Sequence, residues 1–269
     1  MPAASKNEHS LKQAISLERE AYDLRSQQQI EKAFEAYDKA AFHYQEAGEH
    51  LKSAMCYASA ASCWNIHTGW QPLKNAATRN HFAAQEAMKS KSYDYARSLF
   101  REAAILYERE GDGENYSACF MGTQRADANY AWEIFLRGKS DETRGGLLEV
   151  KWKDRVAALG RWLFNTLSRF IWGYGERPLR TLLFAAAVIL VSAFFYDISG
   201  RVLSHGVLKP VSYFDSLYFS IVTFATVGYG DYLPVGWVRV VSVLEGLSGI
   251  FLAPLFLVAL TRRYLRMYR

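Results

Sequence analysis

Six consecutive residues, from Thr226 to Asp231, have the composition of a loop that binds a cation through its backbone. A ring of carbonyl oxygens can replace the hydration shell that a cation loses on entering a narrow site. Successive carbonyls point to one side when alternate residues have opposite backbone hand, and Gly228 and Gly230 adopt the left-handed conformation at little cost. We therefore expect the Thr226 hydroxyl and four backbone carbonyls to be the cation ligands, the carbonyls being those of Thr226, Val227, Gly228 and Tyr229.

Two long apolar segments flank this loop, at residues 179–197 and 238–264. At about 1.5 Å per residue, a helix over each segment is close to the length that crosses a bilayer. We therefore predict two transmembrane helices. Basic residues gather before the first segment and after the second, so the positive-inside rule places both termini in the cytoplasm. These residues are Arg169, Arg177, Arg180, Arg262, Arg263, Arg266 and Arg269.

A shorter apolar stretch, residues 213–225, lies between the two predicted spans. Ser212 and Asp215 have the spacing of a capping box, which starts a helix, and Gly228 and Gly230 stop it. A helix of this length crosses about half of the bilayer. We predict a re-entrant pore helix that enters and leaves on one side, because non-helical backbone at that depth is tolerated only beside water or inside protein.

Residues 178–263 resemble the two-transmembrane potassium channels of bacteria, through the Thr-Val-Gly-Tyr-Gly-Asp run and its place between two spans. The resemblance implies passive, potassium-selective conduction. It also implies a selectivity filter at residues 226–231, in which Thr226 to Gly230 bind K⁺ and Asp231 lies just outside. One chain carries one such loop and a closed ring of ligands needs four, so we expect a homotetramer.

The tripeptide Gly173-Tyr174-Gly175 repeats three letters of that loop. It has no Thr-Val before it and no Asp after it, and it precedes the first predicted span. We predict a turn at the membrane surface there and no second filter.

Three further positions are predicted to support the filter: Tyr218, Val222 and Glu245. Val222 stands where some members of the channel family have a glutamate that pairs with the filter aspartate. Asp231 is therefore expected to use another donor, with Tyr218 as the candidate. Glu245 is a carboxylate inside a predicted span, where ionisable residues are generally functional. It either faces the central cavity or forms structural hydrogen bonds behind the filter, and we favour the second role.

Gly249 and Pro254 weaken the second predicted span at neighbouring points. The resemblance places Gly249 at the inner-helix hinge of the family, and we predict that these two residues form the gating hinge. The alternative role for Gly249 is close packing between helices. No predicted span carries an arginine at every third position, so no voltage sensor is expected.

Residues 1–137 form the first predicted domain, a cytoplasmic helical repeat that matches itself at an offset of about 63 residues. That length suits two helix-turn-helix units. Residues 33–41 and 54–61 resemble tetratricopeptide repeats, in the variant found in soluble NSF attachment proteins. Such solenoids bind partner proteins or peptides; the alternative is a self-packing domain that assists assembly. The matching pairs are Ala33 and Ala96, Tyr37 and Phe100, Ala40 and Ala103, Ala41 and Ala104, Tyr44 and Tyr107, Gly48 and Gly111, and Cys56 and Cys119.

Residues 138–177 are predicted to be a linker followed by an amphipathic helix. The polar stretch from Gly138 to Gly146 is typical of a linker. Beyond it, apolar residues recur in steps of three and four among basic ones, which suits a helix lying on a membrane surface. It could instead be the last packed helix of the solenoid, and we favour the interfacial role. The apolar residues are Trp152, Val156, Leu159, Leu163, Leu167 and Phe170.

The predicted fold class is therefore all-α: a helical-repeat solenoid, a juxtamembrane amphipathic helix, and a pore domain over residues 178–269. The net charge of +5 is concentrated near the membrane segments, which fits a cytoplasmic membrane surface better than nucleic acid. We expect an integral protein of a bacterial inner membrane whose partners are K⁺, lipid, further copies of itself and a protein or peptide ligand. Cys56, Cys63 and Cys119 have no paired spacing and are expected to be buried thiols.

No nucleophile and base pairing or phosphate-binding loop is evident in the N-terminal half, so we predict no enzyme, no catalytic residues and no cofactor besides the permeant ion. Two alternatives to a potassium channel remain. One is a nonselective cation channel on the same frame, which Tyr229 argues against. The other is a membrane-tethered adaptor that uses the repeat for recognition and has a silent pore.

Overall fold

The computed structural model of the chain describes residues 2–66, 71–138, 151–204, 207–208 and 212–267. Within those ranges the chain forms ten α-helices and one small β-sheet, which confirms the all-α class. The helices belong to two compact units, Met1–Thr166 and Leu167–Tyr268. The predicted linker lies, from residue 139 on, outside the described residues.

The first unit begins with six helices in which each packs against the next along the chain. Their cores are built from alanines, with tyrosine, phenylalanine and leucine filling the spaces between them. Small residues allow the helix axes to approach, and the aromatic rings fill the grooves. The helices are α1 (Pro2–Ser26), α2 (Ile30–Glu46), α3 (His50–Ile66), α4 (Pro72–Lys89), α5 (Tyr93–Arg109) and α6 (Gly113–Arg137).

The predicted self-match corresponds to helices that start at equivalent places. Helices α2 and α5 begin at Ile30 and Tyr93, and each ends in the same kind of turn. Gly48 and Gly111 have φ values of 81° and 72°, the left-handed conformation that ends a helix and that glycine adopts most easily. The paired core positions predicted from the sequence are buried: Ala33, Tyr37, Ala40, Ala41, Tyr44 and Cys56 in the first copy, and Ala96, Phe100, Ala103, Ala104, Tyr107 and Cys119 in the second.

Helix α7 (Trp152–Ile171) contacts α6 through a small apolar cluster and through hydrogen bonds beside it. Arg155 donates from Nε and Nη2 to the Phe135 carbonyl at 3.0 and 2.7 Å, and Asn165 donates to Asp127 Oδ2 at 3.1 Å. The rings of Trp132 and Trp162 lie 4.6 Å apart between their centroids. This part of α7 is therefore a packed helix of the first unit.

The apolar side of α7 faces away from those contacts. At 100° per residue, the predicted apolar stripe lies on nearly the opposite side of the helix from Ala158 and Asn165, which are buried. Trp152 is 71 % exposed and Phe170 is 70 % exposed. Packing as the last helix and presenting an apolar surface are therefore compatible in this helix. The exposed members of the stripe are Trp152, Val156, Leu163, Leu167 and Phe170.

The second unit contains three helices, α8 (Pro178–Ser199), α9 (Tyr213–Phe224) and α10 (Val238–Met267), after a short 3-10 turn at Gly173–Gly175. Two of the helices are long and apolar enough to cross a membrane, over Pro178–Ser199 and Val238–Arg262. The two predicted transmembrane helices are thus confirmed as candidate spans. Most of their large apolar side chains are exposed in the single chain, as expected of surfaces that meet lipid or neighbouring copies.

A three-stranded sheet follows α8 and was not predicted. Its strands are β1 (Val202–Ser204), β2 (Val207–Leu208) and β3 (Tyr232–Pro234), in the order β2-β1-β3. Both pairings are antiparallel, with Leu203 opposite Leu233. The sheet joins the end of α8 to the residues that directly follow Asp231. Each strand has only two or three residues, too few for an alternating pattern to be recognised.

The buried thiols of the first unit lead to a prediction about chemical reactivity. Burial, with a smaller contribution from Glu18, raises the pKa of Cys56 to about 12. Burial, with a smaller contribution from Asp112, raises the pKa of Cys119 to about 12. The thiolate is the reactive form of cysteine. Near neutral pH, the thiolate fraction of Cys56 and of Cys119 should be lower than that of a free cysteine by a factor of about a thousand or more.

We therefore expect the folded protein to resist iodoacetamide at pH 8 and the denatured protein to react at all three cysteines. Intact mass after timed alkylation measures the number of labels. Alkylation of the folded chain at the rate of a small free thiol would contradict this environment for Cys56 and Cys119.

Candidate functional site

Helix α9 ends in a turn that places a threonine where glycine is usual. Thr226 N donates to the Thr223 carbonyl and Val227 N to the Val222 carbonyl, both at 3.0 Å. This is the hydrogen-bond pattern of a Schellman motif, whose left-handed position is mostly occupied by glycine. Thr226 has a φ of 58° there. A β-branched residue in this conformation is strained, and such strain concentrates at functional sites.

The backbone then alternates in hand along the loop. Thr226, Gly228 and Gly230 have φ values of 58°, 57° and 80°, whereas Val227 and Tyr229, between them, have negative φ. Alternation of this kind is the pattern expected of a chain whose successive carbonyls point to one side. The tripeptide at Gly173–Gly175 lacks it, because its three consecutive residues all have positive φ, at 58°, 59° and 82°.

The loop makes few contacts with the rest of its own chain. All residues from 225 to 230 are exposed, with Val227 at 51 % and Tyr229 at 70 %. A Cβ atom added at Gly228 or Gly230 would meet nothing within 4 Å. A strained backbone persists when its surroundings hold it, and the described residues of this chain supply little of that surrounding structure.

The end of the loop is anchored at Asp231. Its Oδ1 accepts a hydrogen bond from Tyr232 N at 3.1 Å, and the Tyr218 hydroxyl lies near its carboxylate. The rings of Tyr218 and Tyr232 meet edge to face, with centroids 5.8 Å apart. Strand β3 starts at Tyr232 and pairs with β1, so the sheet holds the chain immediately after the loop.

The predicted support residues lie on the two helices that enclose this site. Val222 is buried in α9. Glu245, in α10, is only 2 % exposed and accepts a hydrogen bond from the Tyr196 hydroxyl at 2.7 Å. It is also hydrogen bonded to Ser220 of α9. This geometry favours hydrogen bonding between helices over exposure to a cavity.

Gly249 lies against the end of α9. A Cβ atom at this position would be 1.9 Å from the Phe224 carbonyl oxygen, far closer than any side chain tolerates. Gly246, one turn earlier, would place a Cβ 3.8 Å from the Thr223 carbonyl, which is an ordinary contact. Close packing therefore accounts for glycine at 249. Helix α10 continues through both Gly249 and Pro254, and the gating hinge stays a prediction.

Residues 183–266 match a protein-family model described as Ion channel. This match supports an ion channel. The matched region covers about a third of the chain and includes α9, the loop from Thr226 to Asp231 and most of both candidate spans. Together with the two apolar helices, it indicates a membrane protein. No curated protein and no solved structure matches the chain.

Sequence reasoning missed two groups of residues at this site. Tyr196 and Ser220 meet Glu245, and β1 pairs with β3 behind Asp231. The first group could have been predicted in part, because a carboxylate in an apolar helix needs polar partners in neighbouring apolar helices. The sequence of the strands could not be distinguished from that of a loop.

The contrast between two glycines of α10 gives a testable prediction. Gly249→Ala should force α9 and α10 apart, at a cost of about 1–3 kcal/mol or more, as overpacking does. Thermal unfolding of the detergent-solubilised protein should show lower stability, and ion flux in vesicles should fall. Gly246→Ala is the matched control, because it makes the same change on the same helix with room for the methyl group. Equal stability and flux in the two variants would contradict the close contact at Gly249.

Proposed function

We propose that this chain is one subunit of a potassium-selective channel that conducts K⁺ passively. The observation that carries the proposal is the alternation of backbone hand at Thr226, Gly228 and Gly230, in a loop between two candidate membrane spans. Carbonyls turned to one side can replace the hydration shell of an ion, and no side-chain charge is needed at the ligands. In this proposal residues 226–231 are the selectivity filter and α9 is a re-entrant pore helix.

The channel is proposed to be a homotetramer. One loop supplies one quarter of a ring of ligands, and closed rotational symmetry completes it. The exposure of Val227 and Tyr229 in the single chain supports this assembly, because side chains of neighbouring copies would cover them and hold the strained backbone. The α9 helix would direct its C-terminal, partly negative end toward the centre of the assembly, which favours a cation there.

A test of selectivity uses the purified full-length protein in planar bilayers. The reversal potential should follow the potassium gradient, by about 59 mV for each tenfold change in concentration ratio. Gly228→Asp should abolish potassium-selective current, because it adds a charged side chain at a left-handed residue among the proposed carbonyl ligands. Its matched control is Gly200→Asp, since Gly200 has nearly the same φ, 58° against 57°, and equally open space.

A reversal potential that ignores the potassium gradient would indicate a nonselective channel, and the absence of any current would favour an adaptor with a silent pore. Potassium current unchanged by Gly228→Asp would remove the filter from residues 226–231. Loss of current in both variants would assign the effect to backbone strain and not to the filter.

The first unit is proposed to lie in the cytoplasm as a helical solenoid that assists assembly or binds a protein or peptide. Helix α7, most of which belongs to this unit, is proposed to rest on the membrane surface. Three observations support this: α7 packs on α6 with the side that carries Ala158 and Asn165, its apolar stripe is exposed, and six residues separate its end from α8. Basic side chains beside the stripe suit an anionic headgroup layer.

This orientation predicts different surroundings for two positions of α7. A fluorophore on Leu163→Cys, in the apolar stripe, should be quenched by brominated lipid in vesicles. The control is Arg161→Cys, which is exposed on another side of the helix and should stay unquenched. Labelling should be confined to the introduced thiol, because the three native cysteines are buried. Equal quenching at both positions would contradict an oriented surface helix.

A further inference from the structure

One carboxyl group links the three helices of the second unit. Glu245 of α10 accepts from the Tyr196 hydroxyl of α8 through Oε2, at 2.7 Å, and its Oε1 is hydrogen bonded to Ser220 Oγ of α9. The Ser192 hydroxyl of α8 lies near the same carboxyl. All four side chains are buried.

The number of protons available at Ser220 determines the state of this group. Ser220 Oγ also lies 2.8 Å from the Ile189 carbonyl oxygen of α8. A serine hydroxyl has one proton to donate, and a carbonyl oxygen has none. Two separate two-centre hydrogen bonds at Ser220 Oγ therefore need a second proton, and Glu245 is the partner that can supply it.

An ionised Glu245 would leave this arrangement unsatisfied. Its carboxylate would take the proton of Ser220, and the Ile189 carbonyl would then face a lone pair at hydrogen-bond distance. The Ile189 carbonyl keeps its bond within α8, so the cost is the repulsion between two lone pairs at this distance, where no water can separate them.

The surroundings offer no charge to compensate a carboxylate. Within one chain, Glu245 is the only charged residue in the stretches 181–196, 216–224 and 240–261, which are the parts of α8, α9 and α10 around it. The titratable side chain that faces it from α8 is Tyr196. From α9 it is faced by Ser220, while Tyr218 on the same helix reaches Asp231 instead. A buried charge without a partner strongly favours its neutral form.

We infer that Glu245 is a neutral carboxylic acid that donates to Ser220, which donates in turn to the Ile189 carbonyl, and that this proton holds α9 in place. Glu245 is then a positioning residue for the loop, acting through α9. It holds the middle of that helix, one turn of α10 away from the contact between Gly249 and Phe224. Removing the proton at alkaline pH breaks the relay and loosens the support of the loop. The effect on conduction rests on the proposed function, whereas the protonation does not.

The protonation is tested directly by infrared difference spectroscopy of the full-length protein in lipid vesicles. At neutral pH the wild type minus Glu245→Gln should show the carbonyl band of a protonated carboxyl group, and the band should disappear as the pH is raised. A carboxylate signal in its place at neutral pH would overturn the inference. This measurement gives its answer even if the protein conducts no potassium.

The positioning role is tested by the pH profile of potassium flux into the same vesicles. Wild-type flux should decline at alkaline pH. Glu245→Gln, which keeps a neutral donor, should retain most of the flux that Glu245→Ala loses, and its flux should no longer decline. Ser220→Ala should lower flux, whereas Ser199→Ala, a matched change at the end of α8, should not. An alkaline decline that persists in Glu245→Gln, or a loss of flux equal to that of Glu245→Ala, would contradict the role of the proton.

Discussion

The placement of α9 depends on how closely α10 approaches its end. At Gly249 no side chain fits, because the Phe224 carbonyl occupies the space that a Cβ would need. Phe224 is the last residue of α9, and the loop with alternating backbone hand begins two residues later at Thr226. A shift of α10 would therefore move the start of the loop. Glu245 and Ser220 join the same two helices one turn away, so α9 is held both at its middle and at its end.

The two units achieve stability by different physical means. In the first unit, alanines with tyrosine and phenylalanine form a core that removes apolar surface from water. That driving force is absent between helices in lipid, where small residues and hydrogen bonds between helices take its place. Gly249 and the contacts of Glu245 are of these kinds. Helix α7 combines features of both, since one side packs on α6 and its apolar stripe stays exposed.

Patterns with a period or a fixed length were predictable from the sequence. The two spans, the all-α class and the paired core positions of α2 and α5 follow from apolar runs and an offset repeat. The left-handed conformation of Thr226 was harder to predict. In a sequence, positive φ is usually indicated by glycine, and the φ of Thr226 arises instead from the turn that ends α9. Tyr196 and Ser220 are distant from Glu245 in the chain and meet it only after three helices pack, so no local pattern identifies them as its partners.

The end of α9 also helps to explain why the tripeptide Gly-Tyr-Gly has different backbone conformations at residues 228–230 and 173–175. At Thr226 the Schellman turn imposes a left-handed residue, and Gly228 and Gly230 then repeat that hand at every second position. The end of α9 thus determines which residues of the loop are left-handed, and Gly228 and Gly230 occupy the next two of these positions. At Gly173–Gly175, by contrast, Tyr174 takes the left-handed conformation together with both of its glycine neighbours. The backbone conformation of the loop therefore depends on the helix that precedes it as much as on the residues within it.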